Sequence, residues 1–302
     1  MTEARLAIVN PAAGGGHCGK LAPAALARLQ EAGLTVEQVH TAAPGDATRL
    51  AREAYARGVR HFVAVGGDGT AYEIVNGLLP EALGAAEAAR PCLGFLPLGT
   101  GNSFLRDFTD RGAEHAIEAL HSGRRRRCDV VHLEHDGGAL YYINLLSAGF
   151  VAAVGATANR RFKRFGTAGY GLAVVVETMT LGARRYRMHL DHGPLWEQDA
   201  LFLSFCNSRY TGGSMMMAPF ADTADGQLDV IVARPMSRLA LLAAFPRIFA
   251  GTHVHMPEIV ASRASEVELD LQEAIDLMID GEVEHHRPKR LRVIPGAIDV
   301  CV

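Results

Sequence analysis

Short apolar runs alternate with helix-period stretches up to about residue 130. Leu6 to Asn10 reads as a strand. His17 to Ala32 carries Leu21, Ala25, Leu26 and Leu29 at helical spacing and stops at Gly33. Thr35 to His40 is a second strand, and Asp46 to Arg57 a helix with Asp46 at its N-cap and Gly58 behind it. Strands at 61–65 and 93–96 end in glycine turns, with a helix from Ala71 to Leu79 between them. Ala113 to Leu120 forms a further helix, ended by Gly123. Strands alternating with helices predict a parallel, doubly wound α/β sheet.

After Cys128 the pattern changes. Asp129 to His135, Tyr141 to Leu145, Tyr186 to Leu190, Leu195 to Asn207, Leu228 to Ala233, Val267 to Leu271, Ile275 to Ile279 and Leu291 to Val293 read as strands. Turns such as Asp136-Gly137-Gly138 and Asp191-His192-Gly193 separate some of them. The pattern predicts an antiparallel β domain over 129–296 with inserted helices near 160–182 and 237–250. Residues 1–128 form the other domain, and a last strand at 297–302 is a candidate to rejoin it.

The chemistry begins where the early strands end. Val63-Ala64-Val65 runs into Gly66-Gly67-Asp68-Gly69-Thr70; Ile8-Val9-Asn10-Pro11 runs into Gly14, Gly15 and Gly16; Leu93 to Leu96 runs into Pro97-Leu98-Gly99-Thr100-Gly101-Asn102. Glycines let main chain approach a ligand closely, and free N–H groups at a helix start favour an anion. Asp68 would be repelled by bare phosphate; it makes sense with a metal between them or as the orienter of a donor. A tight strand–helix turn with Asp68 or Thr70 as N-cap is the alternative. Three such loops at strand C-termini converge on one crevice, where open α/β sheets bind ligands. Gly14-xxxx-Gly19-Lys20 imitates a P-loop, but Leu21 stands where Ser or Thr should hold Mg²⁺, which argues against a P-loop NTPase.

Composition narrows the class. A length of 302 residues is a prior for about two domains, and 49% apolar residues suffice for sizeable cores. A net charge of −3 argues against a dedicated nucleic-acid binder. Five cysteines without CxxC spacing read as reduced thiols. With Glu3 leading straight into a strand, no signal peptide is expected, and no apolar run approaches the ~18 residues of a membrane span. These features predict a cytoplasmic enzyme.

Asn10-Pro11 with Gly14 to Gly16, Gly66 to Thr70, and Pro97 to Asn102 resemble the nucleotide loops of the diacylglycerol kinase catalytic-domain family, which includes bacterial lipid kinases and sphingosine kinases and is distantly related to NAD kinases and phosphofructokinases. Gly212-Gly213, Pro219, Asp222 and Asp225-Gly226-Gln227-Leu228-Asp229-Val230 resemble the family's metal-site segment, and Asp280-Gly281-Glu282 its C-terminal acidic motif. The resemblance implies an N-terminal nucleotide-binding domain, a C-terminal β-sandwich and an active-site cleft between them. It also implies ATP and Mg²⁺ as cofactors, with Asn10, Gly14, Thr41, Gly66, Gly67, Asp68, Gly69, Thr70, Glu73, Gly99, Thr100, Gly101, Asn102 and Glu282 around the nucleotide. Asp225, with the carbonyls of Asp222 and Gln227, would hold a structural Mg²⁺, an oxygen-only set that suits this ion. Asp129 matches an aspartate of the active-site acidic cluster, and Asp280 becomes the candidate general base. Read without the family, Asp225-Gly226 is also a hairpin entry, Asp280-Gly281 also a type I′ turn, and Asp129 also a surface carboxylate. Many bacterial members carry an acid where this chain has Ser103, which leaves the metal geometry or substrate subclass open.

Arg124 to Arg127 and Arg160-Arg161-Phe162-Lys163-Arg164-Phe165 are solvated faces or, for the second run, a contact with an anionic membrane surface. Met215-Met216-Met217 is core packing or adaptable lining for an acyl chain. The adjacent His285 and His286 point to different strand faces and do not suggest a shared metal. The expected activity is ATP-dependent phosphorylation of a hydroxyl on a lipid such as diacylglycerol or a sphingoid base, in phospholipid metabolism, by an enzyme peripheral to the membrane. The alternatives are a kinase of the same superfold acting on a soluble polyol or nucleotide, and a regulatory binding protein without chemistry. A homodimer is left open.

Overall fold

The computed structural model describes residues 5–84, 86–109, 111–162, 166–180 and 182–302. The chain divides into two compact units, one running to Val130 and completed by Pro295–Val302, the other Val131–Ile294.

In the first unit, strands β1 (Arg5–Val9), β2 (Val36–His40), β3 (His61–Gly66) and β4 (Cys92–Pro97) alternate with helices α1 (His17–Glu31), α2 (Asp46–Ala56), α3 (Asp68–Leu78) and α4 (Ala113–Ser122). The strands pair in parallel in the order β2-β1-β3-β4. This is the α/β sheet that the alternation predicts. β3 is buried at every position, as a parallel strand covered on both faces must be. A core of Ala7, Val9, Val63, Val65, Leu26 and Leu29 joins sheet and helix. Helix boundaries follow the expected stops: Gly33 and Gly123 take left-handed φ of 83° and 67° behind α1 and α4. α3 starts at Asp68, three residues before the sequence pattern suggests, so the aspartate lies in its first turn.

In the second unit, β5 (Arg125–His135) enters and pairs with β6 (Gly138–Tyr142) around the predicted Asp136-Gly137 turn. The rest are β7 (Leu145–Gly149), α5 (Phe150–Thr157), α6 (Gly166–Met179), β8 (Arg184–Leu190), β9 (Trp196–Ala200), β10 (Phe202–Cys206), β11 (Tyr210–Thr211), β12 (Met215–Met216), β13 (Leu228–Ala233), α7 (Arg238–Phe249), β14 (Ile259–Ala264), β15 (Glu266–Leu269), β16 (Ile275–Ile279), β17 (Glu282–His286) and the first part of β18 (Pro288–Cys301), whose end from Pro295 belongs to the first unit. One antiparallel sheet runs β14-β13-β10-β7-β16-β17, and β15 pairs antiparallel with β8 and with the first part of β18. The end of β18 then pairs in parallel with β4, Asp299 against Cys92 and Val300 against Leu93.

Four expected strands are redrawn. Tyr141 to Leu145 straddles a corner between β6 and β7. Leu195 to Asn207 is two strands that pair in different sheets, broken at Leu201, whose N–H turns to the carbonyl of Ala233. The stretches at 291–293 and 297–302 are parts of one strand. The helix near 160–182 is α6, with a short π-helical stretch at Ala158–Phe162 before it, and α5 ahead of that is a helix the sequence pattern does not predict. All five cysteines are buried free thiols. No helix among the described residues is long and apolar enough to cross a membrane.

Candidate active site

The parallel register puts the ends of four strands at one edge of the first unit: Val9 lies against His40 and Val65, and Gly66 against Pro97. Asn10, Thr41, Gly67 and Leu98 therefore leave the sheet side by side. Asn10 anchors the first loop, its Oδ1 accepting from the Ala12 N–H at 3.1 Å and its Nδ2 donating to Thr70 Oγ1 at 3.2 Å. The Thr41 N–H donates to the Val9 carbonyl at 2.9 Å.

The glycines are required where the loops touch. A Cβ on Gly99 would stand 2.5 Å from the main-chain N and Cα of Gly67, and one on Gly101 would stand 2.6 Å from an Asp68 carboxylate oxygen. Gly14, at φ 60°, tucks under the Leu98 carbonyl. Gly66 leaves room for the Thr70 side chain. Gly69 sits in the first turn of α3; in the third loop Thr100 lies between Gly99 and Gly101, and Asn102 follows at φ 52°, its Nδ2 donating to the Gly99 carbonyl at 2.9 Å. The N-cap of α3 is Gly67, and no side chain caps the helix. The Thr70 N–H turns back to the Gly67 carbonyl at 3.0 Å, and the N–H groups ahead of it have no partner within the helix, which makes the edge suitable for phosphate oxygens.

Asp68 accepts the main-chain N–H groups of Ser103 at 2.9 Å and Phe104 at 3.3 Å. Burial raises its pKa, and hydrogen bonds from Ser103 and Phe104 pull the other way. Ser103, 1% exposed, thus braces the carboxylate where an acid would repel it. Glu73 serves α2 from α3: its Oε2 accepts the Ala47 N–H at 3.0 Å. The P-loop imitation dissolves in the structure. Gly19 and Lys20 lie in α1, where a Cβ on Gly19 would press on Pro11 at 3.2 Å.

Asp129 is 1% exposed on β5 and accepts the Gly296 N–H at 2.7 Å. It is therefore not a surface carboxylate.

In the second unit, Asp280 and Gly281 (φ 46° and 92°) form the tight turn joining β16 to β17, with Ile279 paired to Glu282. Asp280 is nonetheless 2% exposed, and its carboxylate accepts three main-chain N–H groups at 3.0 Å, from Ile143, Asn144 and Leu145. It is both the hairpin residue and the clasp of the β6–β7 corner. Glu282 is exposed beside it. Asp222 and Asp225 sit in the exposed loop before β13, where Asp225 accepts the Gln227 N–H at 3.0 Å and faces Arg263 at 3.3 Å. Asp229 also faces Arg263, at 3.5 Å, and burial raises its carboxyl pKa. Carboxylate and carbonyl oxygens are the donors Mg²⁺ prefers, and Arg263 is the cation that meets the carboxylates of Asp225 and Asp229 here.

Met215 and Met217 are buried and line an apolar cavity of about 60 Å³ with Phe150, Tyr170, Val174 and Phe245. His253, on the same wall, donates from Nε2 to the Met217 carbonyl, 3.0 Å away, and burial lowers its pKa. Of the Arg160–Phe165 run, Arg160 and Arg161 are exposed, and 163–165 lie outside the described residues.

Residues 5–133 match the family model described as the diacylglycerol kinase catalytic domain, and residues 144–302 match the YegS C-terminal NAD kinase beta sandwich-like domain. The chain is similar to a diacylglycerol kinase of Mycobacterium tuberculosis, at 30% identity over 97% of this chain and 93% of that one. It is similar to a protein of Pseudomonas aeruginosa named "Probable lipid kinase YegS-like", at 32% identity over 92% and 88%. A crystal structure of a diacylglycerol kinase from Bacillus anthracis shares the fold, with a TM-score of 0.71 at 22% identity over 99% of this chain and 96% of that one.

Proposed function

The chain belongs to the diacylglycerol kinase and YegS-like lipid kinase family, and on that premise we propose that it transfers the γ-phosphoryl group of ATP to a hydroxyl of a lipid such as diacylglycerol or a sphingoid base. The observation that carries this reading is the interlocked glycine edge. The Gly67–Gly99 contact admits no Cβ on Gly99, and three loops bring main chain, Asn10, Thr70 and Asn102 to one sheet edge. Bound there, Mg²⁺·ATP supplies the phosphoryl group and the ion that neutralises its charge. Gly14, Gly66 to Thr70 and Gly99 to Asn102 hold the phosphates, Thr41 and Glu73 flank the nucleotide, and Asp68 orients the metal side of the site with Asp129 and Glu282 as further carboxylates.

Asp280 takes the proton of the acceptor hydroxyl. Three main-chain donors hold its carboxylate in position. Asp225, with the carbonyls of Asp222 and Gln227, would hold a structural Mg²⁺, and Arg263 faces Asp225 and Asp229 beside it. The lipid acceptor is supported by the apolar lining of this wall, with the adaptable Met215 and Met217 in it. A screen with radiolabelled ATP over diacylglycerol, sphingoid base, ceramide, phosphatidylglycerol and soluble polyols tests the reading. Label in a lipid product is expected; label only in a soluble polyol or NAD sinks the lipid assignment, and none at all sinks the kinase assignment.

A further inference from the structure

His253, 3% exposed, lies in the short 3₁₀ turn Thr252–His255 behind α7. The turn opens at Gly251, whose φ is 67° and where a Cβ would stand 2.7 Å from the Pro219 ring and 2.8 Å from the Met216 sulfur. Only glycine fits there, and the close packing sets His253 beside the Met215–Met217 segment. Its Nε2 lies 3.0 Å from the Met217 carbonyl oxygen. A carbonyl only accepts, so Nε2 carries the proton. Burial lowers the pKa of the ring, the neighbouring His255 acts the same way, and the Met217 bond opposes them. The imidazole is therefore neutral at pH 7, and Nδ1 presents a lone pair.

That lone pair is unused. Nδ1 is buried, and no group among the described residues bonds it. Thr211 and Tyr170 line the same cavity, and neither hydroxyl supplies the bond. Native proteins pair nearly all their buried acceptors, so a bare one on a cavity wall calls for an explanation. The rest of the wall says what would complete the bond. Phe150, Val174, Phe202, Met236 and Phe245 stand around it. An ion would lose its hydration against such a wall, so the missing donor is neutral. A water wants two to four polar partners and would face hydrocarbon on most sides. A hydroxyl or amide N–H carried on hydrocarbon matches both the acceptor and its surroundings.

The cavity, about 60 Å³, is small beside the ~150 Å³ that holds benzene, so it takes the donor and its adjoining carbons. Met215, Met217 and Met236 are unbranched and adjust to the carbons that follow. We propose that this cavity is a subsite for an otherwise apolar molecule carrying a neutral hydrogen-bond donor, a hydroxyl or amide N–H, with His253 Nδ1 as the acceptor. The use of the subsite rests on the lipid-kinase reading and narrows it. The ester carbonyls of a plain diacylglycerol only accept, so the lipid preferred here bears a hydroxyl or amide in its apolar part. The binding itself rests on His253 and its cavity.

Calorimetric titration with n-octanol and with methyl octyl ether tests it. The alcohol donates, and the ether can only accept. The wild type should bind the alcohol about tenfold more tightly, the worth of one bond to an acceptor otherwise left bare. His253→Gln sets an amide N–H where Nε2 donates, so it keeps the Met217 bond and removes the Nδ1 lone pair. With an intact melting transition, this variant should bind alcohol and ether alike. Should the variant not fold, the nitrogen NMR resonance of His253 Nδ1 in the wild type carries the same test: it should move with the alcohol and hold still with the ether. A wild type that binds both equally, a folded His253→Gln protein that keeps the preference, or an Nδ1 resonance indifferent to the alcohol overturns the proposal. An alcohol preference with no lipid labelled in the ATP screen leaves the subsite standing and removes the lipid-kinase reading. Labelled lipid without the preference does the reverse.

Discussion

The Asp68 carboxylate accepts the Ser103 main-chain N–H at 2.9 Å, tying the second nucleotide loop to the third. Burial nonetheless dominates the carboxyl and raises its pKa. An aspartate with a folded pKa above its unfolded one costs stability when ionised, and the cost fades as pH falls through the folded pKa. Asp68→Asn carries no such charge. Measured without Mg²⁺, its melting temperature should gain on the wild type's as pH rises from about 4 to about 7. Parallel curves would show that Asp68 does not titrate with a raised pKa.

Gly99 and Gly67 make the closest approach between loops. Gly99→Ala must push a methyl group into the Gly67 main chain, 2.5 Å away. Neither partner is the end of a flexible side chain, so the loops must part. The variant should lose about 1–3 kcal/mol, the usual range for overpacking, and should bind Mg²⁺·ATP at least tenfold more weakly in calorimetric titration. Gly15→Ala is the control: a Cβ there meets nothing within 4 Å, though its φ of 66° adds some strain. Equal ATP affinity in the Gly99→Ala protein would put the nucleotide elsewhere.

The loop at Asp225 predicts a metal-linked stability. An ion bound only by the native state stabilises it by about 2.7 kcal/mol at a hundredfold excess over its dissociation constant. Mg²⁺ should therefore raise the wild-type melting temperature, and Asp225→Ala should abolish that response. Arg263 remains beside Asp229 in the variant, so the ion-free protein should stay folded. The same Mg²⁺ response in both proteins would remove the structural-ion reading.

The glycine loops were legible because each is local: a few consecutive residues specify strand end, turn and helix start. The parallel sheet was legible for the same reason, since alternation of short apolar runs and helical periods needs no partner. The clasp at the β6–β7 corner was not. Ile143 and Asn144 carry no strong turn signal, and the group that breaks the strand there is Asp280, 135 to 137 residues away. The strands Ile259–Ala264 and Glu282–His286 were also missed, because their partly exposed, charge-rich alternation lacks a long apolar run. Glu73 illustrates a different limit. The resemblance puts it near the nucleotide, and only the fold reveals that its carboxylate also serves the start of α2.

Asp280 is asked to do two things. As a clasp it accepts Ile143, Asn144 and Leu145; as a base it must take a proton from the acceptor hydroxyl. Asp280→Asn removes both functions in part, because an amide turns an NH₂ toward main-chain donors. Each buried N–H left unsatisfied costs about 1–3 kcal/mol, so the variant should melt earlier than the wild type even without substrate. A lost base lowers kcat by roughly 10²-fold or more, and a loosened corner alone would lower it only as far as the fold is disturbed. Temperature separates the two. Well below the variant's melting transition the structural loss should be small, whereas the missing base should still hold kcat down by about that factor. ATP affinity should change little, since the nucleotide loops belong to the other unit. A variant with near-normal kcat in the cold would make Asp280 a clasp only, and Asp129 and Glu282 would then be the carboxylates to substitute.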